Sequence, residues 1–277
     1  MSVETVRVSP EWLALREPAD AQARAADLVG RARQHLPANG RLVIHDLGCG
    51  TGAMTRWLAP LLPGPQHWVL YDRDADLLAA APADLPAAAA DGTAVTAETR
   101  QCDITRLDPG ELADASLLTA SALLDMLTAD ELNRLVRSCA GAGCPVLVTG
   151  SVVGRVDLLP GDPLDELVAD AFNDHQRRTT GGRRLLGPDA VAAAVDAFTR
   201  LGAEVVVRPS PWRLGPAHSG SAELTVEWFT GWVGAAVEQR PELVGPSAAY
   251  VRRRRAEAAT GRLAVTVHHE DLLALPR

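Results

Sequence analysis

The stretch RLVIHDLGCGTG, Arg41 to Gly52, constrains this chain more than any other. Leu42, Val43 and Ile44 make the short apolar run of a buried parallel strand, which ends at Asp46 and passes directly into Gly48, Gly50 and Gly52. Glycines at this spacing mark a turn that lets backbone approach a ligand closely. The helix expected next, Ala53 to Leu62, aims its first N–H groups at that ligand.

Two classes of nucleotide cofactor suit such a loop, because Gly48, Gly50 and Ala53 also satisfy the spacing of a dinucleotide fingerprint. Asp46 separates them. A carboxylate at the strand end repels a pyrophosphate, whereas it attracts the ammonium and sulfonium of S-adenosylmethionine. The loop therefore favours S-adenosylmethionine over NAD. Read whole, Asp46-Leu47-Gly48-Cys49-Gly50-Thr51-Gly52 resembles the first motif of the class I S-adenosylmethionine-dependent methyltransferases, an acidic residue followed by x-G-x-G-x-G, and the match is complete.

The downstream pattern agrees. A second strand, His67 to Tyr71, ends at Asp72, where a carboxylate can accept both ribose hydroxyls of a nucleotide, with Asp74 left to cap the next helix. A third strand runs from about Val95 to Cys102, a fourth from Ala115 to Ala120, a fifth from Pro145 to Gly150, a sixth from Ala203 to Arg208 and a last from Leu263 to His268. Thr128 with Glu131 opens the helix after strand four as a capping box. Strands alternating with helices predict a parallel sheet wound on both faces, with the ligand at the carboxyl ends of the strands, where Asp46, Asp72, Asp103 and Ser121 all fall.

The resemblance implies an α/β, Rossmann-like class I methyltransferase fold, with a mostly parallel seven-stranded sheet and helices on both faces. It implies that Asp103 hydrogen-bonds the adenine amino group, although a helix cap is the other reading of an Asp in that place. The cofactor contacts expected are Asp46, Gly48, Cys49, Gly50, Gly52, Asp72, Arg73, Cys102, Asp103, Ile104 and Ser121. An N-terminal helical segment starts at Ser9-Pro10 and is reopened at Pro18 as Ala19 to Leu36. It can lie over the cleft as a lid, where Arg16 and Arg24 are candidates to pair with the methionine carboxylate, Arg16 foremost.

One domain with attachments is expected: a lid at 1–38, a cofactor-binding core at 39–208, a helical insertion at 209–261 and a last strand and tail at 262–277. Between strands five and six, His175 is the candidate general base for a hydroxyl acceptor, because histidine titrates in the useful range; the alternative is a helix histidine beside the arginines that follow. Asp125 is the second candidate, and a transfer that needs no base is the third. Asn173, His175 and Trp212 are the expected substrate contacts, with Trp212 on a proline-flanked loop. Leu224, Trp228 and Trp232 form an apolar stripe on the helix of the insertion, which reads as packing against the core or a second copy, or as an aromatic wall for a planar or cationic substrate. Arg252 to Arg255 point all round a helix and read as solvated.

Composition narrows the function. With 35 acidic against 27 basic residues, all of them arginine, the net charge is −8, which disfavours a nucleic-acid partner. The N/D-P-P-Y/F tetrad of amino-methylating nucleic-acid enzymes is missing after strand four. Cysteines 49, 102, 139 and 144 have no C-x-x-C or metal-ligand spacing, so no metal and no disulfide are expected. No signal peptide opens the chain and no apolar run has the length to cross a bilayer, so a soluble cytoplasmic protein without a membrane partner is expected. The expected function is methyl transfer from S-adenosylmethionine to a hydroxyl or amine of a small organic molecule, releasing S-adenosylhomocysteine, in a monomer or homodimer. The alternatives are a nucleic-acid or protein methyltransferase, an NAD oxidoreductase, and a cofactor-binding protein without methyl transfer.

Overall fold

The computed structural model describes residues 8–215 and 222–276. Positions 1–7 of the expected lid, 216–221 of the insertion and 277 of the tail lie outside the described residues. Helix α1 (Pro10–Ala23) and α2 (Ala26–Arg33) precede β1 (Leu42–Leu47), α3 (Ala53–Leu58), β2 (Gln66–Asp72), α4 (Ala75–Ala80), β3 (Val95–Gln101), β4 (Leu117–Ser121), α5 (Ala129–Gly141) and β5 (Val146–Leu159). Helix α6 (Asp165–Gln176), the short pair β6 (Thr179–Thr180) and β7 (Arg183–Arg184), α7 (Ala190–Arg200), β8 (Glu204–Pro209), β9 (Trp212–Leu214), α8 (Ala222–Gln239), α9 (Val244–Ala259) and β10 (Ala264–Leu275) follow. Among the described residues no helix is long and apolar enough to cross a membrane.

The main sheet has the order β3-β2-β1-β4-β5-β10-β8, with β9 added on β10. The first five are mutually parallel and β10 is antiparallel to β5, β8 and β9. The sheet thus holds one strand more than expected. Side chains alternate across it as the period-two pattern dictates. Val69, Tyr71, Leu118, Ala120, Val146 and Val148 join the core under α5 and α7, while Trp68, Leu70, Leu117 and Leu147 join the core under α2 and α3. Strand order reverses between β1 and β4, so the chain leaves a crevice at their carboxyl ends.

Two strands are longer than the sequence suggested. β5 does not stop at Gly150 but continues to Leu159, and β10 continues past His268 to Leu275. Where they pair, β5 carries extra residues at two points, opposite His268 and opposite Asp271, and both contain a glycine at positive φ, Gly154 at 74° and Gly150 at 65°. A Cβ on Gly154 would lie 2.8 Å from Pro188 and 2.9 Å from Asn173. The outer reach of β5 and β10, together with β9, α6, α8 and α9, builds a third core around Trp212, Trp228, Phe229, Trp232 and Tyr250.

The lid also differs from expectation. Helix α1 runs through Pro18 and ends at Arg24, whose backbone turns extended. The break is fixed from below, because Asp271 on β10 accepts the Ala25 N–H at 2.8 Å and so caps α2. Arg254, expected in solvent, is 1% exposed. Its guanidinium donates to Asp165, to Glu257 at 2.8 Å and to the Pro160 carbonyl at 2.6 Å, which is how that charge is carried inside the third core.

Candidate active site

A cleft of about 930 Å³ opens at the carboxyl ends of the parallel strands and continues between the lid, α6, α8 and β10. Its floor is the glycine loop. The Gly48 and Cys49 amides both donate to the Tyr71 carbonyl at 2.8 Å, the Gly50 amide to Asp72 Oδ2 at 2.9 Å, and the Gly52 amide to the Cys49 carbonyl at 2.9 Å. These are the N–H groups a dinucleotide loop would present to a pyrophosphate, and here they are engaged within the protein. Gly52 has φ 83°, and a Cβ there would stand 3.0 Å from the Ala81 carbonyl oxygen.

Asp46 lines the cleft at 1% exposure. Its Oδ1 accepts from Thr119 Oγ1 at 2.8 Å and its Oδ2 has no partner. Burial raises its pKa to about 7, against the opposing hydrogen bond from Thr119 and the positive Arg24. Asp72 accepts the Gly50 amide on one oxygen and the Asp74 amide, at 2.9 Å, on the other, and Asp74 caps α4 through the Asp76 amide. Asp103 caps a short turn by accepting the Thr105 amide at 3.0 Å and hydroxyl at 2.7 Å, so the helix-cap reading describes what it does here; it also lines the cleft with Cys102 and Ile104.

Of the two lid arginines, the structure engages Arg16 and leaves Arg24 the freer. Arg16 makes a bidentate pair with Asp20 at 2.9 and 3.1 Å and lies 4.9 Å from the Trp212 ring centre. Arg24 is 6% exposed beside Ala53 and Ser121, touching them at 3.4 and 3.3 Å, and its Nε has no partner.

His175 does not join the cleft. It points the other way, with Nε2 3.3 Å from Glu238 on α8 and Nδ1 3.2 Å from Arg178, and burial followed by Arg178 lowers its pKa. On a helix, neighbours in sequence face different directions, so Asn173 and Gln176 line the cleft where His175 cannot. Asn173 donates to the Gly154 carbonyl at 2.8 Å. Asp125 is a cleft residue in the turn after β4, and burial pushes its carboxyl up to about 6. Trp212 is not on a loop but in β9, paired with Val267, buried at 4%, and donates Nε1–H to Asp20 at 3.0 Å while its ring lines the cleft.

Three comparisons bear on this geometry. Residues 44–143 match the sequence profile of the family described as a methyltransferase domain. No curated protein sequence matches the chain. Among solved structures, the cyclopropane synthase MmaA2 from Mycobacterium tuberculosis superposes with a TM-score of 0.50 at 12% identity, covering 96% of this chain and 94% of that one. A methyltransferase from Geobacter sulfurreducens in complex with S-adenosyl-L-homocysteine scores 0.42 at 15% identity, over 97% of this chain and 99% of that one. A Haemonchus contortus phosphoethanolamine N-methyltransferase scores 0.46 at 14% identity, over 96% of this chain and 57% of that one.

Residues 44–143 carry a methyltransferase domain, set in a Rossmann-like α/β fold shared with the cyclopropane synthase. The buried, half-satisfied Asp46 carboxylate fits the cofactor's ammonium, and Arg24, whose Nε has no partner and which lines the same cleft, fits its carboxylate.

Three cleft residues gave no sequence signal strong enough to single them out. His268 and His269 open the inner half of β10, and Gln176 ends α6. His268 Nε2 lies 2.6 Å from Asp157 Oδ2, a carboxylate that also holds Arg155 at 3.0 Å. His269 is 4% exposed, packs against Trp212 with ring centres 5.0 Å apart, and burial lowers its pKa to about 4. Two adjacent histidines at the end of the last expected strand were the available hint, and only the register of β10 against β5 shows that they border the cleft.

Proposed function

We propose that this methyltransferase moves the methyl group of S-adenosylmethionine onto a hydroxyl or amine of a small organic molecule, in a cleft whose two halves hold cofactor and acceptor side by side. The observation that carries the reading is the unpartnered Asp46 oxygen in a cleft that runs on, without a break, to a wall made by Phe172, Trp212, Trp228 and Trp232. When bound, the cofactor supplies an electrophilic methyl on a sulfonium, whose positive charge disperses as the methyl leaves.

The chain's own groups do the rest. Asp46 and Arg24 grip the two charged groups of the methionine end, Asp72 takes the ribose hydroxyls on the lone pairs left after its two amide bonds, and Cys102, Asp103 and Ile104 border the adenine. Helix α1 excludes water, with Leu13 over the glycine loop and Glu17 tied to Arg56 at 2.6 Å. Asp125 takes the acceptor's proton on a carboxylate oxygen, its raised pKa matching it to work near neutrality. The net charge of −8 supports a small acceptor over a nucleic acid.

The test is product mass. Purified protein with S-adenosylmethionine and separate panels of phenols, naphthols and aliphatic amines is expected to add one methyl to a member of these panels. The rate should rise with pH through about 6 as Asp125 loses its proton, and Asp125→Asn should lower it by roughly 10²-fold or more. Methyl transfer confined to bulk RNA or protein substrates would overturn the reading.

A further inference from the structure

The acceptor half of the cleft contains three buried polar atoms with no hydrogen-bond partner: Trp232 Nε1, Gln176 Oε1 and His269 Nδ1. Trp232 and His269 are 2% and 4% exposed, and both line the cleft. Unmade hydrogen bonds in apolar surroundings are a standing cost that native proteins rarely keep, and one of their uses is recognition of a ligand that completes them.

The surroundings say what such a ligand looks like. Trp228 and Trp232 stack with ring centres 5.3 Å apart at 18°, and Trp212 meets His269 at 5.0 Å with the rings tilted by 51°, so the wall is aromatic and its α8 part is stacked. Apart from Asp125, the base of the proposed reaction, the charged groups named on this side are matched with one another: Arg16 with Asp20, Arg155 and His268 with Asp157, and Arg183 with Glu131 at 2.7 Å. His269 is held neutral by burial. Asp125 aside, nothing among the described residues here solicits a charged group, and each orphan is a neutral hydrogen-bonding atom.

The packing of α6 on α8 sets the spacing. His175 lies against Glu238, and Asp174 against Arg240, so the ends of the two helices are side by side. Trp232 comes six residues before Glu238, about 9 Å back along α8 at the helical rise. Gln176 sits at the far end of α6. The residues that carry the N–H donor and the amide acceptor are therefore offset along the seam between α6 and α8.

We propose that this subsite binds an uncharged, flat molecule of about two fused rings that presents a hydrogen-bond acceptor to Trp232 Nε1–H and, at its other end, a donor to Gln176 Oε1. The assignment rests on the cofactor reading above and names the acceptor class for it: a hydroxylated bicyclic arene or a molecule of the same polarity and outline. His269 Nδ1 completes the set from the β10 side.

Calorimetry separates this proposal from the reading beneath it. The protein is first titrated with S-adenosylhomocysteine, and the saturated protein is then titrated with 2,6-dihydroxynaphthalene, 2,6-dimethoxynaphthalene and 2-naphthoate. The diol is expected to bind, the dimethoxy compound about tenfold more weakly for want of a donor to Gln176, and the naphthoate not at all. Trp232→Phe keeps the ring and removes the N–H, and Gln176→Met removes the amide; each should weaken the diol about tenfold or more. Thermal melting shows that the variants fold, and should Trp232→Phe fail to fold, the half-buried Gln176→Met carries the test. Diol binding that is absent, or unchanged in the folded variants, or weaker than that of naphthoate overturns the proposal while leaving the cofactor reading standing. Failure of S-adenosylhomocysteine to bind overturns both.

Discussion

At the scale of single residues, the site is governed by carboxylates held out of water. Asp46 keeps its proton up to about pH 7 in the folded protein, whereas an unfolded chain gives it up near the ordinary value of 3.8. Between those two values the folded state carries the extra proton, so stability falls as pH rises through that window and levels off above it. Asp46→Asn removes the titration. Urea unfolding of the cofactor-free protein between about pH 4.5 and 7.5 should show a smaller decline in the variant than in the wild type. Equal declines would mean that Asp46 is already ionised and paired in the folded chain. The shifts at Glu131 and Asp46 run in opposite directions: Arg183 holds Glu131 down to about 2, while burial raises Asp46, whose single hydroxyl partner does not offset it. The glycine pattern and Asp46 were legible in the sequence because they are local and chemically particular. Which of Arg16 and Arg24 stays available was not, because it depends on Asp20 and Trp212, and Trp212 lies almost two hundred residues away.

At the scale of elements, the joint between lid and sheet decides how the cleft is closed. Asp271, 1% exposed on β10, accepts the Ala25 amide at 2.8 Å, the Gly150 amide at 2.8 Å and the Ser210 hydroxyl at 2.6 Å. One carboxyl thus caps α2, stitches the β5 bulge and fixes the chain between β8 and β9. Replacing it by alanine strands two backbone N–H groups and a hydroxyl in a dry joint. Asp271→Ala should lose on the order of 3–5 kcal/mol in urea unfolding, with the lid exchanging its amides first. A loss under about 1 kcal/mol would show that water replaces the carboxyl without strain. Strands β1 to β4 were read to within a few residues, and β1 and β2 most closely, since in each an apolar run gives way to a glycine or an acidic residue. The long strands β5 and β10 were read short. Gly150 looks like a strand terminator, and it is a bulge that bends β5 and lets it continue as far as Leu159. No local pattern distinguishes the two, because the pairing that stabilises the continuation is with β10, more than a hundred residues later.

At the scale of the whole molecule, the sheet divides the labour. Its parallel half, β3 to β5, carries the cleft-lining carboxylates Asp46 and Asp72, and its antiparallel half, with α6, α8 and α9 packed on it, carries the tryptophan wall. His175 was the natural reading of the sequence and the wrong face of its helix. The alternation that decides a face is set by where α8 packs, and Glu238 draws that imidazole away from the cleft. The reading of a solvated arginine run failed at Arg254 for the same reason, since Asp165 and the Pro160 carbonyl reach it from another element.

The central claim is that the cleft over β1, β2 and β4 takes S-adenosylmethionine. Its most direct test is isothermal titration with S-adenosylhomocysteine and, separately, with NADH, of the wild type and of Asp46→Asn and Asp72→Ala. The account predicts that S-adenosylhomocysteine binds and NADH does not. Each variant should weaken the homocysteine complex by about tenfold or more, from loss of a charged hydrogen bond to the ammonium or the ribose. Binding of NADH in place of S-adenosylhomocysteine, or variants as tight as the wild type, would contradict it.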